Sequence, residues 1–419
     1  MIVVIGGGIA GNEAACSARN TDPDAGILII NEEEHPLYSA CALADYVGGD
    51  ITRDRLFLSR LEDYRKNRVE TLFSTRVTGW KPGERIIQLK DEEISYDGLI
   101  IATGSRAFIP PVPGAHLDGV FTLKTLRDAD RLRSRSGKHA VVIGSGPVGI
   151  ESAIALRRKN YQVSIIEQLD GVLPLLFDRE LSESLNKRLR DREIDLCLGE
   201  KAVEIFGNGK VAAVKTESRF IPADTVVFAI GMRPEVELAK LGRVKLGPQG
   251  GISVDEMMQT GVEDVYACGD CVEYYNNTTK QTGLYMLWNN ARIQGRIAGA
   301  NAAGARRRYG GNISITNVNV FEVAAASVGL TSRQVPEDQL EVIHKKGPSG
   351  EYRLVLQNDG LVGVQAIGCT ERVGGLLGSV IRGDKVADAA YRFVSSQRQW
   401  ALRSIKEPLH NVMPAQQAV

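Results

Sequence analysis

The chain has 419 residues, which is too long for one ordinary domain and suggests two or three. Hydrophobic residues make up 43% and charged residues 24%, a composition that is typical of a soluble globular protein and excludes long disordered stretches. Lys and Arg together number 51, as do Asp and Glu, so the formal net charge is zero and nucleic acid is not expected as a main partner.

The same composition argues against a membrane or secreted protein. No apolar run is long enough for a membrane span, and the opening MIVVIGGG is a strand and a turn rather than a signal peptide. The six cysteines are scattered instead of spaced as a disulfide framework, which favours a reducing cytoplasm. Only residues 268–271 show a metal-like spacing, Cys-Gly-Asp-Cys, and no metal site is expected there.

Two segments of the chain share one pattern. Residues 2–11 form an apolar strand that runs into Gly-x-Gly-x-x-Gly, followed by a helix of small residues and a second strand at 26–31. Residues 140–149 repeat this order, with the second strand at 163–167. A single glycine motif is weak evidence, whereas two copies in the strand–helix–strand context predict two dinucleotide sites. The glycines allow the turn, let backbone amides approach a pyrophosphate at the helix N-terminus, and let helix and strand pack closely.

The remaining segments extend this picture in chain order. Residues 96–104 and 226–231 are predicted as buried strands that end in glycine turns, and residues 265–270 as a strand ending in Gly-Asp. Residues 284–304 are predicted as a helix. A third domain of the α+β type is predicted from about residue 313. Its strands are expected at 318–328, 340–344, 352–357 and 361–367, and its helices at 373–381 and 386–400.

Five motifs together resemble the FAD-dependent pyridine nucleotide–disulfide oxidoreductases, in order and spacing, over nearly the whole chain. They are GGGIAG at 6–11, ATGS at 102–105, GSGPVG at 144–149, AIGMRP at 229–234 and ACGD at 267–270. The resemblance implies an α/β protein with two Rossmann-like dinucleotide-binding domains and a C-terminal α+β interface domain. The implied bounds are 1–108 and 250–312 for the FAD domain, 109–249 for the NAD domain and 313–419 for the interface domain.

The resemblance also implies the residues that hold the two cofactors, FAD and NAD. In the FAD site, Asn31 and Glu32 are alternatives for the ribose contact, and Asp270 is expected to bind the ribityl or phosphate part. In the NAD site, Glu167 ends the second strand and should accept hydrogen bonds from the ribose 2′-OH, which favours NAD(H) over NADP(H). The other cofactor-binding residues implied are Gly6, Gly8, Gly11, Val77, Thr103, Gly104, Gly144, Gly146, Gly149 and Gly231.

Two further residues are implied in the chemistry. Glu151, on the helix after the second glycine motif, matches the family's Glu near the contact of flavin and nicotinamide, although an ordinary exposed helix Glu remains the alternative. Cys41 matches the cysteine that faces the flavin in the single-cysteine branch, and its alternative is a small buried residue. Cys268 and Cys271 coincide with the FAD motif, so a structural role is favoured over a CxxC redox pair or zinc site.

The residues around Cys41 separate the possible functions. Coenzyme A-disulfide reductases carry Ser-x-x-Asn-Cys where this chain has LYSAC, and NADH oxidases carry a His in the first glycine loop where Ile9 and Asn12 occur. The stretch HPLYSACALADYVGG at 35–49 is similar to the NAD-coupling flavoprotein subunit of phenylglyoxylate dehydrogenase. We therefore expect an electron-transfer subunit that exchanges hydride with NAD(H) and electrons with iron–sulfur partner subunits. The alternatives are a stand-alone, homodimeric NADH oxidase or coenzyme A-disulfide or thiol reductase using Cys41, and a flavin-bearing scaffold without turnover.

Overall fold

The computed structural model describes residues 1–385 except 278, 349, 369, 371 and 372. These residues fall into two compact units. The first unit comprises residues 1–174 and 185–313, and the second comprises residues 175–184 and the chain from 314 onward. The helix predicted at 386–400 lies outside the described residues.

Strands and helices alternate around the two glycine motifs of the first unit, and runs of consecutive strands follow each of these segments. The strands are β1 (Ile2–Ile5), β2 (Ile27–Ile30), β3 (Glu70–Leu72), β4 (Gly79–Lys81), β5 (Ile86–Gln88), β6 (Glu93–Ser95), β7 (Gly98–Ile101), β8 (Ser105–Ala107), β9 (Val120–Phe121), β10 (His139–Ile143), β11 (Gln162–Glu167), β12 (Ile194–Leu198), β13 (Ala202–Asn208), β14 (Lys210–Thr216), β15 (Phe220–Pro222), β16 (Thr225–Phe228), β17 (Met232–Pro234), β18 (Ile252–Ser253), β19 (Val265–Ala267), β20 (Val272–Tyr275) and β21 (Thr282–Leu284). The helices are α1 (Ile9–Thr21), α2 (Leu43–Gly48), α3 (Leu61–Lys66), α4 (Leu126–Ser134), α5 (Pro147–Arg158), α6 (Arg179–Asp191, which begins in the second unit), α7 (Glu237–Leu241) and α8 (Trp288–Ala302).

The first glycine motif belongs to a five-stranded parallel sheet in the order β19-β7-β1-β2-β3. The three central strands are uniformly apolar and buried along their whole length, as expected when both faces of a parallel sheet are covered. Helix α8 begins at Trp288 rather than near 284, because residues 282–284 pair with β20 as strand β21.

The second glycine motif belongs to a separate five-stranded parallel sheet in the order β12-β11-β10-β16-β9. Strand β10 occupies the position that β1 has in the first sheet, with its own following strand on one side and a later strand on the other. Two parallel sheets with crossover helices confirm the predicted α/β class with two Rossmann-like halves.

The C-terminal segment of the second unit starts at Ser314, next to the boundary predicted at 312/313. Residues 175–184, which the prediction assigned to the NAD domain, group with the second unit instead. Both parallel sheets lie in the first unit, so the finer division at 108/109 and 249/250 stays a prediction.

The second unit contains an antiparallel sheet and one described helix. Its elements are β22 (Ile315–Val320), β23 (Val323–Gly329), β24 (Leu340–Gly347), β25 (Gly350–Gln357), β26 (Gly360–Ile367) and α9 (Val373–Arg382), with the strands in the order β22-β23-β26-β25-β24. The single strand predicted at 318–328 is wrong: a hairpin turns at Phe321, whose φ is +54°, and splits it into β22 and β23. The helix predicted at 373–381 is present and ends one residue later.

Within residues 1–385, and leaving aside the five undescribed positions, none of the helices combines the length and the apolar character that a bilayer crossing needs. The same residues contain no group of three or more His, Cys, Asp or Glu side chains arranged to hold a metal ion.

Candidate dinucleotide and redox site

The first glycine loop has the shape that a bound pyrophosphate needs. Gly6 has a φ of +117°, and a Cβ there would lie 2.1 Å from the carbonyl oxygen of Ala102. A Cβ on Gly11 would lie 2.0 Å from the Gly6 carbonyl oxygen, so strand β1 and helix α1 can approach only without side chains. Gly8, the N-cap of α1, faces open space with no atom within 4 Å of a Cβ position. The open N-terminus of this 13-residue helix fits an FAD pyrophosphate.

The second glycine loop repeats this geometry. Gly144 has a φ of +101°, and a Cβ there would lie 2.5 Å from the carbonyl oxygen of Ala229. A Cβ on Gly149 would lie 2.1 Å from the Gly144 carbonyl oxygen, whereas Gly146, the N-cap of α5, again faces open space. The second loop therefore fits the pyrophosphate of NAD as well as the first fits that of FAD.

The two alternatives for the FAD ribose contact lie in different surroundings. Asn31 directly follows β2, its Oδ1 accepts from the Gly7 amide at 3.3 Å and its Nδ2 donates to the His35 carbonyl at 3.3 Å. Glu32 is exposed, and its carboxylate lies 3.6 Å from the Arg76 guanidinium. Asn31 therefore holds the glycine loop through its side chain, while Glu32 is a solvent-exposed acceptor beside Arg76, and the ribose contact stays a prediction.

Glu167, the predicted contact for the NAD ribose, is fixed against the second glycine loop. Its Oε2 accepts hydrogen bonds from the backbone amide and the hydroxyl of Ser145, at 2.9 and 2.8 Å. Its Oε1 accepts from the Leu169 amide at 3.0 Å. The side chain is buried, so the carboxylate is held in one position at the end of β11, beside the loop that would carry the pyrophosphate.

Asp270, Thr103 and Gly104 lie at the carboxyl ends of β19 and β7, on the side of the first glycine loop. The Asp270 Oδ2 accepts from the Ser105 hydroxyl at 2.7 Å and pairs with the Lys124 ammonium at 3.0 Å. The Thr103 hydroxyl donates to the Glu235 carbonyl at 2.6 Å. Asp270 is thus a charged hydrogen-bonding group with free lone pairs, which fits the ribityl or phosphate part of FAD.

Lys124 is a site residue that the sequence analysis missed. It follows the two-residue strand β9 and immediately precedes the capping box in which the Thr125 hydroxyl and the Asp128 carboxylate cap α4. Its only sequence signal is that position, at the carboxyl end of a strand that is too short to show a pattern. The structure brings its ammonium to Asp270 across 146 residues of chain.

Cys41 lies on the short 3-10 turn Ala40–Ala42 that leads into α2, and its side chain is exposed. Burial of part of the side chain raises the pKa of the thiol, the Glu151 and Asp270 carboxylates add to that rise, and the Lys124 ammonium opposes it. The Glu151 and Asp270 carboxylates therefore lie close enough to Cys41 to act on its thiol.

Glu151 is the fifth residue of α5, just beyond its first turn, and is partly buried. Burial raises the pKa of its carboxyl group to about 7, and the negative charge of Asp45 on α2 adds to the rise. The alternative of an ordinary exposed helix Glu does not fit these surroundings. A carboxyl group whose pKa is raised this far toward neutrality can hold or release a proton.

The remaining predicted residues lie near the sheet ends. Val77 is partly buried and packs on the core of the first unit, and Gly231, with a φ of +115°, leaves open space beside the end of β16. Cys268 and Cys271 are fully buried, and burial raises the pKa of both thiols, to about 11 for Cys271. Two buried protonated thiols fit the structural role favoured from the sequence.

Comparisons with known proteins agree with this geometry. The sequence model of the family described as pyridine nucleotide-disulphide oxidoreductase matches residues 1–295. An NADH oxidase of Methanocaldococcus jannaschii is 30% identical over 390 residues, which cover 87% of each chain.

Two solved structures extend the comparison. A NAD-dependent persulfide reductase from A. fulgidus has a TM-score of 0.88 and 29% identity, covering 93% of this chain and 78% of that one. A ferredoxin reductase of the CYP199A2 system from Rhodopseudomonas palustris has a TM-score of 0.82 and 26% identity, covering 89% of this chain and 93% of that one.

Proposed function

The chain belongs to the pyridine nucleotide-disulphide oxidoreductase family, and we propose that it is the kind of member that passes electrons from NADH through Cys41 to a small sulfur compound. Its membership makes it an FAD-dependent NAD(H) oxidoreductase. The observation that carries the narrower proposal is the exposed Cys41 thiol in one neighbourhood with Glu151, Lys124 and Asp270.

The residues present have separate roles in such a reaction. Bound FAD supplies the acceptor for the hydride of NADH and the donor of the electron pair. Gly8 and Gly146 leave room for the two pyrophosphates, and the Glu167 carboxylate orients the NAD ribose. The Cys41 thiolate attacks the sulfur of a persulfide or disulfide, the old sulfur–sulfur bond breaks, and the leaving thiolate departs. Two electrons that originate from NADH, together with one proton, would then cleave the new sulfur–sulfur bond, which restores the Cys41 thiolate and releases the bound sulfur as a thiol or as hydrosulfide.

Sulfur is favoured over oxygen because of the first glycine loop. Ile9 is an apolar residue packed on the core of the first unit, and it has no proton to offer. The amide of Asn12 is fully engaged, since it donates to the Gly7 carbonyl at 2.7 Å and accepts from the Tyr64 hydroxyl at 2.7 Å. Neither side chain can replace the His that the NADH oxidases carry there. The likeness to a persulfide reductase supports the same choice.

Replacement of Cys41 by Ser tests the proposal. NADH consumption with polysulfide or a small disulfide should be lost, while NADH-driven reduction of a dye should stay within about tenfold of the parent, a difference of ~1.4 kcal/mol in barrier. Cys16→Ser is the matched control, because Cys16 is another exposed free thiol. Undiminished sulfur reduction by Cys41→Ser would remove the proposed role of Cys41, and a parent that reduces oxygen much faster than sulfur would place the chain with the NADH oxidases.

The second candidate is the electron-transfer subunit of a complex of the phenylglyoxylate dehydrogenase type. It is supported by the similarity of residues 35–49 to that subunit and by the likeness to a ferredoxin reductase. In that role Cys41 adjusts the flavin without turning over, and iron–sulfur subunits accept or donate single electrons. Reduction of ferredoxin by NADH at a rate that Cys41→Ser leaves unchanged, together with no sulfur reduction by the parent, would favour this candidate.

A further inference from the structure

The position between the first two glycines differs between the two glycine loops. In the first loop it is Gly7, whose amide donates to the Asn31 Oδ1 at 3.3 Å, and a Cβ there would lie only 2.5 Å from the Asn31 Nδ2. In the second loop it is Ser145, which is fully buried. The first loop thus has no room for a side chain at this position unless Asn31 moves, whereas the second holds a serine opposite Glu167.

Ser145 uses all three of its polar groups around the end of β11. Its hydroxyl and its amide donate to the Glu167 Oε2 at 2.8 and 2.9 Å, and its carbonyl oxygen accepts from the Leu173 amide at 3.0 Å. Ser145 is therefore tied to both ends of the segment 167–173. Because Ser145 is fully buried, water does not replace its hydroxyl when that group is removed.

The segment 167–173 has a hydrogen-bonded backbone and an exposed outer side. The Glu167 Oε1 accepts from the Leu169 amide at 3.0 Å, and the Leu169 carbonyl accepts from the Gly199 amide at 3.0 Å. The Glu167 carbonyl accepts from the Glu200 amide, also at 3.0 Å. The side chains of residues 168–170 are exposed, and Glu167 itself keeps 8% of its surface exposed. The carboxylate is thus held by a frame of hydrogen bonds beside solvent.

These bonds leave the Glu167 carboxylate room for one more donor. A carboxylate offers about four lone-pair positions, and the donors from Ser145 and Leu169 occupy three of them. The 2′-hydroxyl of the NAD ribose can donate to the position that remains, whereas the 2′-phosphate of NADP is repelled by the charge. An acceptor that is fixed before the cofactor binds strengthens both effects, because it neither turns away from the hydroxyl nor moves aside for the phosphate.

We propose that Ser145 is a positioning residue for the choice of nicotinamide cofactor, because its hydroxyl fixes the Glu167 carboxylate in the orientation that receives the ribose. Without that hydroxyl the carboxylate keeps two amide donors but is no longer held by a buried side chain. It can then rotate, which weakens its bond to the 2′-hydroxyl and reduces its repulsion of a 2′-phosphate. The inference deepens the proposed function and rests on its assignment of the NAD ribose to Glu167.

Calorimetric titration of the oxidised, FAD-loaded protein with NAD+ and with NADP+ measures this selection without turnover. Ser145→Ala should weaken NAD+ binding by about three- to tenfold and change NADP+ binding by no more than about twofold. The KM for NADH in dye reduction should rise as NAD+ binding weakens, while kcat stays the same. Reduction of the flavin by reduced nicotinamide mononucleotide, which lacks the adenosine ribose, should be unaffected.

Three further variants complete the test. Ser152→Ala is the matched control and should leave both titrations unchanged, because Ser152 is a fully buried serine on α5 whose hydroxyl has no hydrogen-bond partner among the described residues. Ser145→Gly, which gives the second loop the residue of the first, should act like Ser145→Ala. Ser145→Ala in the Glu167→Ala background should have no further effect, because the carboxylate through which it acts is gone.

Two results would overturn the inference. If Ser145→Ala weakens NAD+ and NADP+ binding equally, Ser145 supports the loop without selecting the cofactor. If its effect persists in the Glu167→Ala background, it does not act through the carboxylate. NAD+ binding requires neither Cys41 nor a sulfur compound, so these results stand even if Cys41→Ser disproves the proposed function.

Discussion

The two strand–helix–strand motifs that carry the glycine loops share one backbone arrangement. They differ in the charges that surround the glutamate on each helix. Each has a glutamate two residues after its third glycine, Glu13 on α1 and Glu151 on α5. Glu13 is held by Arg292 and Arg296 at 2.5 and 2.7 Å, whereas Glu151 pairs with no cation among the described residues and faces Asp45. Burial opposes ionisation of both, but the two arginines lower the pKa of Glu13, while the pKa of Glu151 rises to about 7.

The residues that end the second strand of each unit differ in a similar way. Asn31 makes two weak hydrogen bonds of 3.3 Å beside the first loop, and Glu167 accepts three of 2.8 to 3.0 Å beside the second. The glycine loop thus fixes where a dinucleotide lies, while the residues around it decide what each unit does. In the first strand–helix–strand motif the glutamate is paired with two arginines, whereas in the second it carries no cation partner among the described residues.

The largest expected effects separate the two glycine loops. Gly8→Leu should give a folded, colourless protein without FAD, and Gly146→Leu should give a yellow protein that NADH no longer reduces. Both side chains would project into the open space meant for a pyrophosphate, so the fold should survive. Flavin absorbance and stopped-flow reduction measure the two outcomes. A yellow Gly8→Leu protein would show that the first loop does not carry FAD.

The next effect concerns the choice of nicotinamide cofactor. Glu167→Gln keeps an acceptor for the Ser145 amide but removes the charge that would repel the 2′-phosphate of NADP. The preference for NADH over NADPH, measured as the ratio of kcat/KM values, should fall by about tenfold. Asn31→Asp is the matched change in the first strand–helix–strand motif and should leave this ratio unaltered. A parent that prefers NADPH would mean that Glu167 does not face the ribose.

The comparison also shows what the sequence can reveal. The apolar strands, the glycine loops and the residues at strand ends could be predicted because they lie within thirty residues of each other and follow fixed spacings. Lys124 and Asp45 could not, because they reach the site through contacts across the fold, from positions without a motif. The opposite states of Glu13 and Glu151 were equally hidden, since α8, which supplies both arginines, comes some 280 residues after α1.

A third prediction uses stability to compare the two glutamates. Folding raises the pKa of Glu151 from its ordinary value of 4.5 to about 7, so the folded protein favours the protonated carboxyl group. The free energy of unfolding should therefore fall as the pH rises from 4.5 through 7. Glu151→Gln should therefore raise the free energy of unfolding by up to about 3 kcal/mol at pH 8 and have little effect at pH 4. Urea unfolding of the parent and the variant at several pH values measures the difference.

Glu13 should behave in the opposite way. Its pKa is lowered, so its contribution is present above 4.5 and is lost as the pH falls below that value. Glu13→Gln should destabilise the protein by about 1–3 kcal/mol at pH 7, because two partly exposed arginines lose a charged acceptor, and by less at pH 3. If the change in the free energy of unfolding follows the same pH dependence in both variants, the two motifs do not differ as the structure indicates.

The smallest expected effect concerns Asn31, which follows β2 and makes longer hydrogen bonds than Glu167 makes at the end of β11. Asn31→Ala removes hydrogen bonds of 3.3 Å to the Gly7 amide and the His35 carbonyl, both at a partly exposed position where water can replace them. The free energy of unfolding should fall by only about 0.5–1 kcal/mol. Glu167→Ala, which leaves the buried Ser145 hydroxyl and amide without their carboxylate, should cost about 2–3 kcal/mol. FAD affinity measured by fluorescence should drop no more than a fewfold in Asn31→Ala if Glu32 receives the ribose, whereas a large loss would assign that contact to Asn31.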